Sequence, residues 1–139
     1  VRIAVENMYP WAAAGQEIEM YAPHWDPTRF DYEWITWDFS HAAAAKADSL
    51  EFVKKCGDRL GHVHLTDGMG DKVMDEHLRP GYGTQPVAET LEYLAAKQWD
   101  GVVCAEISTK GKRATERDEW LYETLQFAHR HLGQNMPRR

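Results

Sequence analysis

Eight residues near the middle of the chain, Gly61-His62-Val63-His64-Leu65-Thr66-Asp67-Gly68, restrict the fold more than any other stretch. Side chains of a strand alternate between faces, so His62 and His64 share one side while Val63 and Leu65 take the other. Apolar residues facing one way and titratable ones the other describe a sheet packed on helices, with a polar face that encloses something. Two histidines so placed either bind a metal or sit hydrogen-bonded in a core. The choice depends on whether other segments repeat the arrangement.

Three segments do. Residues 2–6 set Val1, Ile3 and Val5 against Ala4 and Glu6, and Pro10 breaks the strand soon after. Residues 33–39 set Ile35 and Trp37 against Thr36 and Asp38, and residues 102–107 set Val103, Ala105 and Ile107 against Val102, Cys104 and Glu106. Each strand therefore ends, on its polar face, in a potential ligand: Glu6, Asp38, His64 or Glu106. Successive members are separated by about one strand-helix unit with its loops.

The intervening segments carry helical periodicity. A helix is expected over residues 46–56 with Leu50 and Val53 buried. A second follows Pro86 with Val87, Leu91 and Leu94 on one face, and a third over residues 116–132 places Leu121, Leu125, Ala128 and Leu132 along one stripe. Residues 11–32 read as a long structured loop, with a helical turn or two between Gly15 and Tyr21. Its aromatics, Trp11, Tyr21, Trp25 and Phe30, either line a ligand lid or pack the loop onto the domain. A loop rich in glycine and charge runs from residue 67 to 85. Within it, Gly81-x-Gly83 is either a plain tight turn or a phosphate cradle at a helix N-terminus. Asp67 either orients a ligand or caps that loop, and His62 belongs to the layer beneath His64.

Strands alternating with helices predict an α/β fold with a parallel sheet and crossover connections. A (βα)8 TIM barrel needs about 250 residues, so about four βα units in residues 1–132 amount to its C-terminal half. Residues 133–139 are expected to form a disordered tail. A lone half leaves two strand edges unpaired. Val1 falls within a strand pattern, so an N-terminal half lying upstream, or a second copy forming a dimer, is expected to complete the barrel.

Charge and cysteine content narrow the function. Against 16 basic residues stand 22 acidic ones, a net charge of -6 that argues against a nucleic-acid partner. The run Lys110, Lys112, Arg113 and Arg117 reads as a solvated loop and helix start. The apolar runs are too short for a membrane span, and Cys56 and Cys104, without CxxC spacing, fit a reducing cytoplasm. Two glutamates, an aspartate and one imidazole make a hard, oxygen-rich donor set suited to one divalent metal ion: Mn²⁺, Mg²⁺, Co²⁺ or Zn²⁺. Three carboxylates meeting without a cation would repel one another.

The motifs Val5-Glu6-Asn7, Trp37-Asp38-Phe39-Ser40-His41, His62-Val63-His64-Leu65-Thr66-Asp67, Asp75-Glu76-His77, Pro80-Gly81-Tyr82-Gly83 and Ala105-Glu106-Ile107 occur in that order. Together they resemble the C-terminal half of the xylose isomerase-like TIM barrel superfamily. That superfamily includes sugar phosphate isomerases/epimerases and apurinic endonucleases of the endonuclease IV type. The resemblance implies metal ligation by Glu6, Asp38, His64 and Glu106, with Glu6 and Glu106 also exchanging protons with a sugar substrate. It places His41, Asp75 and His77 at the substrate or at an additional zinc, and makes Arg79 a possible counterpart of a substrate-binding arginine. The implied reaction is sugar isomerisation or epimerisation through an enediolate. The alternatives are a zinc phosphodiesterase acting on DNA and a non-catalytic half-barrel used in assembly.

Overall fold

The computed structural model describes residues 1–19 and 21–133, so the tail expected over residues 133–139 lies, from residue 134 onward, outside the described residues. Strands β1 (Ala4–Glu6), β4 (Trp34–Asp38), β5 (Leu60–Leu65) and β6 (Val102–Ala105) form one sheet in the order β1-β4-β5-β6, every neighbour parallel. This is the α/β half-barrel order read from the alternation: each new strand adds beside the last.

One face of the sheet is dry. Ile35, Trp37, Val63 and Leu65 are fully buried and pack with Phe39, Ala42, Val53, Val87, Leu91 and Leu94 of the helices. Burying each such side chain removes it from water at a gain of about 1.5–3 kcal/mol. On the opposite face Thr36 and Asp38 are buried, whereas Val102 and Cys104 toward the β6 edge are exposed. A bulge between Ile35 and Thr36 of β4 and the facing stretch of β5 pairs Ile35 with Leu60 but Thr36 with His62. The extra residue is Gly61, where a Cβ would lie 3.1 Å from the Trp34 ring. That insertion lets Leu60 and Val63 both face the helices while His62 and His64 stay in phase with Thr36 and Asp38.

The helices depart from expectation in three places. The alanine run is itself a helix, α1 (Phe39–Ala44), which begins directly after Asp38; α2 (Ser49–Cys56) follows, capped by Asp48. Asp38 Oδ1 accepts the His41 amide at 2.7 Å, so one carboxylate ends β4 and starts α1. The helical turn expected between Gly15 and Tyr21 is instead an antiparallel hairpin of β2 (Trp11–Ala13) and β3 (Gln16–Ile18). Ala14 and Gly15 both take positive φ, 51° and 78°, the two-residue turn that matches hairpin twist. Helices α3 (Val87–Ala96) and α4 (Ala114–His131) are present, Pro86 standing one position before α3. On α4 the buried positions are Thr124 and Ala128, whereas Leu121 and Leu125 are 40% and 45% exposed. The leucine stripe overhangs β6, an edge strand with no described neighbour beyond it.

Among the described residues no helix is long and apolar enough to cross a membrane, and Cys56 and Cys104 are free thiols.

Candidate metal centre

Parallel register sets the site. Asp38 pairs with His64, and His64 with Cys104 two residues before Glu106; Glu6 pairs with Thr36 two residues before Asp38. The strand ends thus deliver Glu6, Asp38, His64 and Glu106 to one point, with a ligand atom of each within 4.8 Å of every other. His64 Nδ1 lies 2.6 Å from Glu106 Oε2, 2.8 Å from Glu6 Oε1 and 3.6 Å from Asp38 Oδ2. One imidazole nitrogen carries at most one proton, so it cannot satisfy three carboxylates.

Asp38 sharpens the point. It is fully buried, and Oδ2 has no hydrogen-bond partner. A buried carboxylate oxygen without a partner is costly unless a cation meets it. The donor set and this orphaned atom fit a divalent metal held by Glu6, Asp38, His64 and Glu106. In the metal-free protein a proton on His64 is the substitute. Burial pulls its pKa down, but Asp38, Glu6 and Glu106 outweigh burial and raise it to about 10.

Asn7, whose role sequence reading missed, locks two of these ligands together. It is fully buried; its Oδ1 accepts the Asp38 amide at 2.7 Å and its Nδ2 donates to the Asp38 carbonyl at 3.0 Å. This side-chain clasp continues the β1–β4 ladder beyond Glu6 and fixes the separation of the two carboxylates.

A second cluster stands beside the first. The Nδ1 atoms of His41 and His77 lie 2.8 Å from the carbonyls of Asn7 and Glu106 respectively, where Nδ1–H donation fixes the tautomers. Their Nε2 atoms then converge on Asp75 Oδ2, at 3.4 Å and 2.8 Å. Ser40 Oγ donates to Asp75 Oδ1 at 2.7 Å and accepts the amides of Glu76 and His77, each at 2.9 Å. Asp38, His41 and His77 also offer ligand atoms within 4.8 Å of one another. Burial opposes charge on His41, but Asp75 and Asp38 prevail and hold it at about 9. His77 reaches about 9 chiefly through its hydrogen bond to Asp75. Burial pushes the Asp75 carboxyl up, and the two histidines and Ser40 drive it well below the usual range.

The remaining predicted residues fall around these two clusters. His62 lies beneath His64, rings 4.9 Å apart and edge to face, and burial with its charged neighbour pushes its pKa down. Arg79 pairs with Glu123 of α4 and lies over the rings of Tyr82 and Trp120 at 4.0 and 4.3 Å. Asp67 accepts four backbone amides of its own loop, and the Gly81 and Gly83 amides it takes are thereby unavailable to a phosphate. Trp25 and Phe30 are half-buried around His24, whereas Trp11 and Tyr21 are exposed. Tyr9, which the sequence did not single out, lies with its ring centroid 4.9 Å from that of His41. Burial, then Asp75, pushes its hydroxyl pKa up.

Comparison with known proteins agrees with the fold. A family described as xylose isomerase-like TIM barrel matches residues 1–131. Uncharacterized proteins of Mycobacterium leprae (strain TN) and Mycobacterium tuberculosis (strain ATCC 25618 / H37Rv) are each 42% identical over 152 residues, covering 95% of this chain and 54% of the relative. The chain thus spans about half the length of these relatives. A solved D-tagatose 3-epimerase-like protein superposes with a TM-score of 0.62 at 28% identity, over 94% of this chain and 49% of the other.

Proposed function

We propose, from the premise that the chain belongs to the xylose isomerase-like TIM barrel family, that it carries the metal-binding half of a sugar isomerase or epimerase. The observation that carries this reading is the meeting of three carboxylates on one imidazole nitrogen, with a buried Asp38 oxygen left without a hydrogen bond. A divalent cation bound there would polarise a sugar carbonyl and its neighbouring hydroxyl, lowering the barrier to an enediolate.

The chain's own residues divide the remaining work. Glu6 and Glu106 approach His64 Nδ1 from opposite ends of the sheet order, β1 and just beyond β6. One removes the proton from the carbon next to the carbonyl. The other returns it, to the adjacent carbon for an aldose-ketose isomerisation or to the opposite face for an epimerisation. Glu106 is the more open of the two, its side chain 45% exposed against 29% for Glu6, and so has room to follow a proton between carbons. Asp38, buried and fixed by Asn7 and the start of α1, is suited to holding and not to proton transfer. In this reading His41, His77 and Asp75 lie on the substrate side, where an Nε2–H exchanging its Asp75 partner for a sugar oxygen would donate to it. An upstream half, or a second copy in a dimer, supplies the missing wall of the pocket; the compartment this reading implies is the cytoplasm.

The test is solvent-deuterium wash-in at the carbon next to the carbonyl. A panel of ketoses and their phosphates would be followed by NMR with Mn²⁺ or Co²⁺, on the chain joined to its upstream half. Wild type should exchange. Glu106→Gln should abolish exchange while weakening metal affinity less than Asp38→Ala does. Exchange by the glutamine variant at the wild-type rate would remove Glu106 from the chemistry.

A second reading is supported by the second cluster. Two imidazoles with Nε2 turned to one carboxylate are also the donor types that an additional zinc takes, as a DNA phosphodiesterase would need. Metal analysis separates them: one exchangeable metal per chain supports the sugar enzyme, and several tightly held zincs support the phosphodiesterase.

A further inference from the structure

The loop between β5 and α3 carries Asp75 and His77, yet forms no regular element of its own over residues 66–86. Ser40 holds its middle, and much of the rest of its order comes from one residue. Asp67 is fully buried, and both its carboxylate oxygens are used twice. Oδ1 accepts the amides of Gly68 at 2.8 Å and Gln85 at 3.2 Å; Oδ2 accepts those of Gly81 at 2.9 Å and Gly83 at 3.0 Å. The Asp67 backbone exchanges two further hydrogen bonds with Leu78, each 2.9 Å, and Leu78 directly follows His77. Six hydrogen bonds, four to the side chain and two to the backbone, thus draw the start, middle and end of the loop onto one residue.

The glycines are where this wrapping requires them. A Cβ on Gly83 would lie 2.3 Å from Asp67 Oδ1 and 2.4 Å from the Gly68 carbonyl, and Gly81 has φ of +83°. On the other side, a Cβ on Gly68 would lie 2.7 Å from that of Ala43, and one on Gly70 2.9 Å from the Ala43 carbonyl. The loop is therefore wedged between its own carboxylate and α1, the helix that bears His41. Past the wedge, His77 reaches the Glu106 carbonyl through Nδ1, and the Ser108 amide returns a 2.8 Å bond to the His77 carbonyl.

We propose that Asp67 is a positioning residue: by gathering the loop it seats Asp75 and His77 against His41 and against the backbone of Glu106, and so shapes the cation site from behind. The proposal takes the strand-end cation site as its premise. A carboxylate is required, because an amide would turn an N–H₂ toward two backbone N–H groups and leave them without an acceptor.

The test uses Asp67→Asn, Gly83→Ala, His77→Ala and the double variant Asp67→Asn/His77→Ala in the whole chain. The readouts are hydrogen-deuterium exchange by mass spectrometry and visible absorption during Co²⁺ titration. Asp67→Asn should raise exchange in peptides covering residues 68–85 by about tenfold, the equivalent of one lost hydrogen bond, and leave β5 and α3 protected. Gly83→Ala should do the same with the carboxylate still present. Both should weaken Co²⁺ and shift its absorption as His77→Ala does, by roughly tenfold. The double variant should bind Co²⁺ like His77→Ala alone, because Asp67 acts through His77. Unchanged exchange in the loop, or effects that add in the double variant, would overturn the proposal. If wild type fails to bind Co²⁺, the cation site itself is refuted, and the exchange data alone decide whether Asp67 seats the loop.

Discussion

The two clusters are neighbours, built from the same residue types, yet different parts of the fold hold them. Glu6, Asp38, His64 and Glu106 stand at or just past strand ends, locked by ladder register and, for the first two, by the Asn7 clasp. Asp75 and His77 stand on a loop whose place depends on Ser40, Asp67 and a few glycines. Strand-borne ligands inherit the rigidity of the sheet; loop-borne ones are only as rigid as the hydrogen bonds that gather them. Loop changes should therefore cost the first cluster only roughly tenfold in cation affinity, while they should undo the arrangement of the second.

Four changes would break or sharpen that contrast. The largest effect belongs to Asp38→Asn, which can still cap α1 but removes a charge and the unpaired oxygen. Titration calorimetry should show divalent-cation affinity falling by at least about a hundredfold, beyond the usual range for groups that merely support a ligand. Retained affinity would mean the strand ends are not the site. His77→Ala should weaken that affinity by only roughly tenfold, and metal analysis should show loss of any second bound zinc. Equal losses in the two variants would erase the distinction.

The third test is pH. His64 is held at about 10, and His41 and His77 at about 9, against about 6.5 in an unfolded chain. A raised folded pKa means the protonated form is favoured by folding. In metal-free protein this stabilisation is complete below about pH 6.5 and is lost as pH rises through 9 for the loop cluster and 10 for His64. Thermal melts in a chelator should therefore fall from pH 7 to 10. Cation affinity should rise across the same window as His64 gives up its proton, and saturating metal should flatten the melts. The smallest effect is expected of Arg79→Ala. Loss of its stacking on Tyr82 and Trp120 should cost roughly 1–2 kcal/mol in denaturant melts, with cation affinity unchanged. A large fall in affinity would join Arg79 to the site.

The same contrast explains what the sequence disclosed. Candidate ligands at strand ends recur at a period set by strand-helix units, and alternation assigns them a face, so the convergence of Glu6, Asp38, His64 and Glu106 could be expected without coordinates. The order of the sheet followed from the same alternation. Asn7 and Ser40 carry no such period, and their partners Asp38 and Asp75 lie far along the chain; Asp67 could be read as a loop cap, but the amides it gathers emerge only once the chain is folded. The hairpin at Trp11–Ile18 was hidden because Ala14 takes a positive φ that glycine or asparagine usually marks. The first helix is legible only from residue 46, because the start of α1 depends on Asp38 serving as its cap as well as a candidate ligand. Leu121 and Leu125 form a correct stripe on α4, but a stripe records only an apolar face and not what covers it.

The central claim is that four side chains from four strand ends share one cation. Crystals of the chain soaked in Co²⁺ and measured at the cobalt absorption edge test it most directly. The account predicts an anomalous peak within about 2.0–2.2 Å of a carboxylate oxygen of Glu6, Asp38 and Glu106 and of His64 Nδ1. A map with no peak among those four, or with cobalt on His41, Asp75 and His77 alone, would contradict it.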